Sequence, residues 1–206
     1  MPVSAEVLVP PVLCLLLGYA LGAIPFGLLL TRAAGLGDVR EIGSGNIGAT
    51  NVLRTGRKGL AAATVLLDSA KGAVAILLAG LIWPDQGQFP ALAAVGAFLG
   101  HLYPAWLGFK GGKGVATLMG IIAVLHWPSA LVAAGVWIAV VALTRYSSAA
   151  GMVAAIAAPV AGGVWFGRID LAILFTGFAL LVLWKHRANI ARLFAGAEPR
   201  LGGAKA

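Results

Sequence analysis

The sequence has little charge, a single cysteine and no grouping of residues that would ligate a metal. Only 11% of its 206 residues are charged, whereas about a quarter are charged in a typical soluble domain. Hydrophobic residues make up 60% of the chain and its mean hydropathy is +0.95, which excludes an ordinary soluble protein and indicates an integral membrane protein. Cys14 alone cannot form an intrachain disulfide, and we expect it to be a small core residue. No histidines or cysteines have metal-ligand spacing, so we expect no structural metal.

The net charge of +8 is not arranged as a nucleic-acid-binding surface. Lysines and arginines lie in short loops between apolar runs, an arrangement typical of topology determinants in membrane proteins. With seven spans and a periplasmic N-terminus, every basic residue except Lys71 and Arg168 falls on one side of the membrane. The positive-inside rule then predicts that this side, together with the C-terminus, faces the cytoplasm.

The apolar runs predict an all-α polytopic membrane bundle, with one integral-membrane domain over residues 1–206. A span needs about 20 apolar residues. The first predicted span covers residues 8–30, with a kink at Pro25, and the next two cover residues 59–83 and 91–107.

The second half of the chain is harder to divide. A single helix over residues 149–184 would be about 54 Å long, whereas the hydrocarbon core is about 30 Å thick. Splitting this run and residues 114–143 at their polar interruptions predicts about seven transmembrane helices. Five long helices are the alternative.

Two glycine-rich, cationic loops interrupt the apolar pattern, and the first covers residues 43–54. Uncharged hydrogen-bonding side chains (Ser44, Asn46 and Asn51) stand among its glycines and suit a polyhydroxyl ligand. Arg54 can hold a phosphate in a bidentate manner. The alternative is that these polar side chains only cap helices at the membrane edge.

The second loop covers residues 109–117 and contains Gly111, Gly112, Lys113 and Gly114. It lacks the spacer and the Ser or Thr of a nucleotide-binding P-loop. It does predict a nest of backbone N–H groups that opens a helix, where the helix dipole favours an anion. We therefore expect a phosphate site; a surface turn with topogenic lysines is the alternative.

Further polar residues lie outside the loops. Asp68 and Lys71 are three residues apart inside a predicted span, where an ionised side chain costs about 2.5–3.5 kcal/mol on insertion scales. We expect this pair to support the site. His101 indicates a hydrogen-bonded histidine in helix packing.

A basic segment follows the last predicted span. The spacing of His186, Asn189 and Arg192 predicts that they share one helical face. This face is either the third wall of the site or a basic membrane anchor.

Taken together, these segments resemble the acyl-phosphate:glycerol-3-phosphate acyltransferase family of bacterial inner membranes. The resemblance spans the chain and depends on motifs in a fixed order: Gly22-x-x-Pro25-Phe-Gly, residues 43–54, Asp68-x-x-Lys71-Gly, Gly100-His101 leading through Pro104 into residues 109–117, Thr144-Arg-Tyr146-x-Ser148, and His186-x-x-Asn189-Ile. It implies seven helices, an active site on the cytoplasmic side and no cofactor. It also implies transfer of a fatty acyl group from acyl phosphate to the 1-hydroxyl of glycerol 3-phosphate, which gives lysophosphatidic acid. The rival interpretations are a membrane transporter for small phosphorylated metabolites and a non-catalytic scaffold that binds anionic lipids.

With that reaction, each candidate residue has an expected role. The catalytic candidates are Lys113, His186 and Ser44; the substrate-binding candidates are Asn46, Asn51, Arg54, Gly111, Gly112, Gly114 and Asn189; and the supporting candidates are Asp68, Lys71, His101 and Ser148. Lys113 with its glycines is expected to hold the phosphate of the donor, and the first loop to hold glycerol 3-phosphate. Either His186 or a donor phosphate oxygen takes the hydroxyl proton. The expected partners are the two substrates, membrane lipids and, as a candidate, the soluble enzyme that makes acyl phosphate.

Overall fold

The computed structural model describes residues 5–202, which form α-helices joined by turns and loops, with no strand among them. The prediction of an all-α bundle is confirmed. The helices are α1 (Ala5–Gly22), α2 (Phe26–Ala33), α3 (Ala49–Val52), α4 (Lys58–Ile82), α5 (Phe89–Leu102), α6 (Val115–Leu125), α7 (Trp127–Thr144), α8 (Ser147–Val160), α9 (Ile169–Lys185) and α10 (Arg187–Phe194). A π-helical stretch, Ala161–Trp165, continues α8.

Five helical stretches of the described chain are long and apolar enough to cross a membrane, or six if α9 and α10 are counted as one bent span. The five are Val9–Ala33, Lys58–Ile82, Phe89–Leu107, Trp127–Thr144 and Ser147–Trp165. Both predicted interruptions in the second half are present, between α6 and α7 and between the π-helical stretch and α9. The count of about seven transmembrane helices stays a prediction, which would require α9 and the shorter α6 to be counted with these five. The orientation of the termini stays a prediction, and Lys205 lies outside the described residues.

The chain divides after Val124 into two compact units, which we call the N-terminal and C-terminal units and describe separately. The single-domain description stays a prediction.

In the N-terminal unit, α1 and α5 pack backbone against backbone. A Cβ atom at Gly22 would overlap the carbonyl of Ala97, and one at Gly100 would overlap the carbonyl of Tyr19. Small residues allow this approach, and close packing of this kind drives helix association where lipid removes the hydrophobic advantage. Cys14 is fully buried in the same seam, where its Sγ lies 3.1 Å from the Phe89 carbonyl, so its predicted core position is confirmed.

A break at Pro25 separates α1 from α2, where the sequence predicts a kink. Proline removes a backbone donor and ends the helical hydrogen-bond ladder, which leaves carbonyl groups at the end of α1 in need of partners. Side chains from other helices supply them. Trp106 Nε1 donates to the Ala23 carbonyl at 2.9 Å, and Lys71 Nζ donates to the Ile24 carbonyl at 2.8 Å.

In the C-terminal unit, α8 packs between α7 and α9. Ala150, Ala154 and Ala158 recur every fourth residue along α8 and are all buried, so a stripe of small side chains faces the core. The tail after α10 returns to the N-terminal end of α8. Arg145 directs its guanidinium to the Leu201 carbonyl, with Nη2 at 2.8 Å, and thereby holds the tail against the α7–α8 turn.

Candidate active site

The first glycine loop is organised around the side chain of Asn51, which is 2% exposed. Its amide nitrogen lies within hydrogen-bond distance of three carbonyls, those of Val39 (2.7 Å), Ile42 (3.1 Å) and Asn46 (2.9 Å). Its amide oxygen accepts from the backbone N–H of Ser44 at 3.1 Å and from Arg54 Nη1 at 3.4 Å. Asn51 therefore folds the loop, while its direct contact with a substrate stays a prediction.

Glycine at position 43 allows Arg54 to lie across the loop. Gly43 has a φ of +56°, a conformation that favours glycine, and a Cβ there would fall on the Arg54 guanidinium. Asn46 turns its Oδ1 back to the Gly48 N–H at 2.8 Å, while Ser44 is exposed. Among the polar residues predicted to bind substrate here, Ser44 is thus exposed and Arg54 is half-buried. Asn46 and Asn51 make hydrogen bonds within the loop.

In the second loop, two of the predicted backbone donors point elsewhere. The N–H of Gly111 donates to the Leu102 carbonyl at 3.2 Å, and that of Gly112 donates to the His101 carbonyl at 3.0 Å. The expectation that these N–H groups face an anion is therefore wrong for these two residues. Their glycine character has another cause, because a Cβ at Gly111 would overlap the His101 carbonyl and one at Gly112 would overlap the His101 ring.

The part of the second loop nearest α6 forms the start of that helix, and its role as an anion site stays a prediction. Gly114 has a φ of +87°, and its carbonyl accepts the first helical hydrogen bond of α6, from the Leu118 N–H at 2.7 Å. The N–H groups of the first turn of a helix have no partner within the helix, and the helix dipole makes this end positive. Lys113 stands immediately before this turn and adds a full positive charge.

The first loop and the segment that leads into the second loop contact the same apolar cluster. The first loop is anchored by a buried cluster made of Leu28, Val39, Ile47, Val52 and Ala61. Leu107, two residues before the second loop begins, packs against the same cluster. This shared apolar contact is consistent with the prediction that both loops lie on the same side of the membrane, which stays a prediction.

Behind the second loop lies a buried group of ionisable side chains. Lys71 Nζ is 2.8 Å from Asp68 Oδ1, so the predicted pair three residues apart does form. His101 Nδ1 is 3.8 Å from the same carboxylate oxygen. Ionised groups taken out of water require such pairing, because the desolvation cost is otherwise uncompensated.

In the C-terminal unit, His186 lies at a 59° bend between α9 and α10. His186 is the residue from which α10 starts, and its carbonyl accepts the Ile190 N–H at 2.9 Å. That His186, Asn189 and Arg192 share one helical face stays a prediction. The Nδ1 atom of His186 lies 2.8 Å from the Val182 carbonyl. A carbonyl can only accept, so Nδ1 carries the hydrogen, and a neutral ring then keeps its basic lone pair on Nε2.

A carboxylate absent from the sequence-based site organises the rest of this unit. Glu198 accepts from Ser148 Oγ at 2.5 Å and from Asn189 Nδ2 at 2.6 Å through Oε1, and from Arg192 Nε at 2.7 Å through Oε2. Burial raises the pKa of Glu198, but the hydrogen bonds from these three donors outweigh it and leave the pKa below its usual value. The available signal was that Glu198 is the only acidic residue after Asp170, in an otherwise basic tail.

Comparison with known proteins identifies the family of this chain. The model of the family described as glycerol-3-phosphate acyltransferase matches residues 12–196. A glycerol-3-phosphate acyltransferase of Mesorhizobium japonicum is 58% identical over 192 residues, which cover 93% of this chain and 96% of that protein. One from Brucella anthropi is 56% identical over 188 residues, covering 91% of this chain and 92% of that protein.

Solved structures agree with the sequence comparisons. The crystal structure of PlsY (YgiH), an integral membrane glycerol 3-phosphate acyltransferase, in its glycerol 3-phosphate form superposes with a TM-score of 0.86 at 34% identity, over 93% of this chain and 96% of that one. The lysophosphatidic acid form of PlsY gives a TM-score of 0.83 at 33% identity, over 92% and 94% of the two chains. These matches decide between the enzyme and the transporter that the sequence left open. The chain belongs to the glycerol-3-phosphate acyltransferase family and is an integral membrane acyltransferase.

Proposed function

We propose that the protein transfers a fatty acyl group from acyl phosphate to the 1-hydroxyl of glycerol 3-phosphate, forming lysophosphatidic acid and releasing phosphate. The observation that carries this proposal is that the first cationic glycine loop and the segment leading into the second contact one apolar cluster of the N-terminal unit. A reaction between two phosphorylated molecules requires two anion sites close together. PlsY has been solved in a glycerol 3-phosphate form and in a lysophosphatidic acid form. These two molecules are the acceptor and the product of such a transfer.

The chemistry asks little of the protein beyond orientation and charge. Acyl phosphate is a mixed anhydride, so its carbonyl carbon is already activated. The hydroxyl oxygen attacks this carbon, a new ester C–O bond forms, and the bond from the carbonyl carbon to the bridging phosphate oxygen breaks. Positively charged and N–H donors that are fixed in place before the reaction stabilise the negative charge that develops.

We assign the donor phosphate to Lys113 and the first turn of α6. Gly114 and its neighbours bring these N–H groups together, whereas Gly111 and Gly112 hold the loop against α5. In the first loop, Arg54 and Ser44 hold glycerol 3-phosphate, and Asn51 keeps them in place. An arginine suits this task because its guanidinium presents a planar fork to a phosphate.

The hydroxyl proton goes either to His186 or to an oxygen of the leaving phosphate. The hydrogen bond from Nδ1 to the Val182 carbonyl supports His186 as the base, since it leaves the lone pair on Nε2. His186→Gln tests this role: a base predicts a large fall in kcat and loss of the acidic limb of the pH profile. A small fall with an unshifted profile would assign the proton to the phosphate.

We further propose that the reaction takes place at the cytoplasmic face of the bacterial inner membrane. The basic loops support this placement through the positive-inside rule. A cysteine introduced at exposed Arg57 should react with a membrane-impermeant thiol reagent only in inverted vesicles, if Cys14 is first replaced by Ala.

A single assay tests the donor. Purified protein is given radiolabelled glycerol 3-phosphate with acyl phosphate, and acyl-CoA serves as the control donor. The proposal expects labelled lysophosphatidic acid only with acyl phosphate, and equal product from acyl-CoA would contradict it. Lys113→Ala should reduce the turnover at least a hundredfold, on the order of 2.7–4 kcal/mol of transition-state stabilisation.

The assignment of the two loops is tested by Michaelis constants. Arg54→Ala should raise the KM for glycerol 3-phosphate more than the KM for acyl phosphate. Arg57→Ala is the matched control, because Arg57 is an exposed arginine three residues away. The opposite order of the two effects in Arg54→Ala would exchange the loop assignments.

A further inference from the structure

One turn of α4 contacts both flanks of the second glycine loop. Asp68, Ser69, Lys71 and Gly72 occupy this turn, and each reaches an element outside α4. The sequence analysis assigned Asp68 and Lys71 only a general supporting role. The contacts allow a specific one.

The flank before the loop is held through His101. Asp68 Oδ1 lies 3.8 Å from Nδ1 of His101, near the end of α5. This distance is too long for a hydrogen bond, so the contact is electrostatic and is strongest when the ring is protonated. The opposite edge of the same ring lies against Gly112, since a Cβ at that position would overlap Nε2. The His101 carbonyl also accepts the Gly112 N–H at 3.0 Å. His101 therefore contacts the loop with both its ring and its backbone, and Asp68 stands behind the ring.

The flank after the loop is held by Ser69 and Gly72. Ser69 Oγ donates to the Ala116 carbonyl at 2.9 Å, in the first turn of α6. A Cβ at Gly72 would lie 2.9 Å from the carbonyl of Thr117, so α6 approaches α4 closely at this glycine. Any shift of this turn of α4 would move the N-terminus of α6 with it.

Lys71 ties the same turn to the break between α1 and α2. Its Nζ is 2.8 Å from Asp68 Oδ1 and donates to the Ile24 carbonyl at 2.8 Å. The ammonium thus balances the buried carboxylate and partners a carbonyl near the end of α1. Hydrophobic residues of similar volume often stabilise a protein as well as a buried ion pair does, so such a pair suggests a task other than stability.

We propose that Asp68 is a positioning residue for acyl transfer: its charge orients the His101 ring against Gly112, while the Ser69 hydroxyl holds α6 by a hydrogen bond, so that the N–H groups and Lys113 between the two flanks keep their geometry. The proposal depends on the phosphate role given to this loop above. Displacement of these N–H groups or of Lys113 should lower the rate of the chemical step, because small misplacements of charge-stabilising donors raise the activation free energy.

The test uses the full-length protein in detergent micelles. Asp68→Asn should lower kcat at least about tenfold, the scale on which small misplacements act. It should also shift the ring ¹⁵N signals of His101 in protein labelled with ¹⁵N-histidine, which contains only three histidines. The signals are assigned with His101→Gln. If Asp68→Asn does not fold, the double variant Asp68→Asn/Lys71→Gln takes its place, since it leaves no unpaired buried charge.

Thr64→Val is the matched control. Thr64 is buried one turn earlier on α4, and its hydroxyl donates to the Leu60 carbonyl of its own helix at 2.8 Å. This variant should keep kcat within about twofold and leave the His101 signals unchanged, because valine preserves the shape of the side chain. Ser69→Ala should lower kcat without moving the His101 signals.

Two results would overturn the positioning role. One is a kcat within twofold of the wild-type value in the folded Asp68 variant; the other is a fall in kcat that leaves the His101 signals unmoved. Lys113→Ala separates this outcome from failure of the proposed function. Wild-type turnover in Lys113→Ala would reject the phosphate role of the loop itself, whereas its loss alongside an active Asp68 variant would reject the positioning role alone.

Discussion

Each unit has a buried polar side chain that organises the chain around it through hydrogen bonds. Asn51 organises the first loop of the N-terminal unit, and Glu198 organises the tail of the C-terminal unit. Asn51 is 2% exposed and Glu198 is 9% exposed. The amide of Asn51 both donates and accepts, whereas the carboxylate of Glu198 accepts from three donors. An amide does not titrate, so the hydrogen bonds that Asn51 makes do not themselves depend on pH. A carboxylate holds its partners best when charged, so the tail depends on pH.

The two centres also differ in the length of chain that they close. Asn51 binds partners between Val39 and Arg54, all close in sequence. Glu198 reaches back 50 residues to Ser148. Loss of Asn51 should therefore disorder one loop, whereas loss of Glu198 should release the tail from distant helices. The predictions below test this contrast.

The largest effect is expected from Asn51→Leu. Leucine would leave the carbonyls of Val39, Ile42 and Asn46 without their partner, and each buried unsatisfied group costs about 1–3 kcal/mol. Because Arg54 also loses its support, acyl transfer should fall at least about a hundredfold, the scale seen when one charge-stabilising donor is lost. Steady-state assays with acyl phosphate measure this rate of acyl transfer. Thr55→Val, which removes a neighbouring hydroxyl that bonds only locally, should stay near the wild-type rate.

Glu198→Ala should chiefly lower stability. Asn189 and Ser148 would lose a buried acceptor, at about 1–3 kcal/mol for each unsatisfied group. The thermal midpoint in detergent, followed by circular dichroism, should fall by several degrees. Exposed Glu41→Ala is the control and should leave the midpoint in place. An unchanged midpoint in Glu198→Ala would show that the carboxylate does not hold the tail.

The pH dependence separates the two centres most directly. The pKa of Glu198 is lower in the folded protein than in the unfolded chain, so its contribution to stability is present above the ordinary glutamate pKa of about 4.3. That contribution is lost as the pH falls below this value and through the folded pKa. Between about pH 6 and about pH 3 the thermal midpoint should therefore decline further in the wild type than in Glu198→Gln. Parallel declines would contradict the assignment.

Arg192→Met should have the smallest effect. The Arg192 side chain is 37% exposed, and such partly solvated ion pairs contribute about 0–1 kcal/mol. The thermal midpoint should fall by no more than a few degrees, and high salt should reduce the difference from the wild type. A fall as large as that of Glu198→Ala would mean that the ion pair, rather than the neutral donors, carries the tail.

The sequence predicted those features that arise locally. Pro25 ends α1 through its own backbone, and Gly43, Gly45 and Gly114 stand where the chain adopts conformations with positive φ. The spacing of Asp68 and Lys71 places both on one face of α4, where they form the expected pair.

Features that depend on distant segments were not accessible in the same way. The N–H groups of Gly111 and Gly112 bond to the end of α5, which only the folded arrangement reveals. The role of Glu198 likewise requires that the tail return to α8 and α10, and nothing in the spacing of Ser148 and Glu198 indicates this. No proline or glycine near His186 indicates the bend in the sequence.

The glycine seam between α1 and α5 has a consequence for how the enzyme can vary. Because main chain meets main chain there, the register of the two helices does not depend on the size of any side chain. Val12, Leu13 and Leu16 lie on the exposed face of α1, away from the seam. Exchanging these exposed residues for other apolar ones should therefore leave the packing of α1 against α5 unchanged.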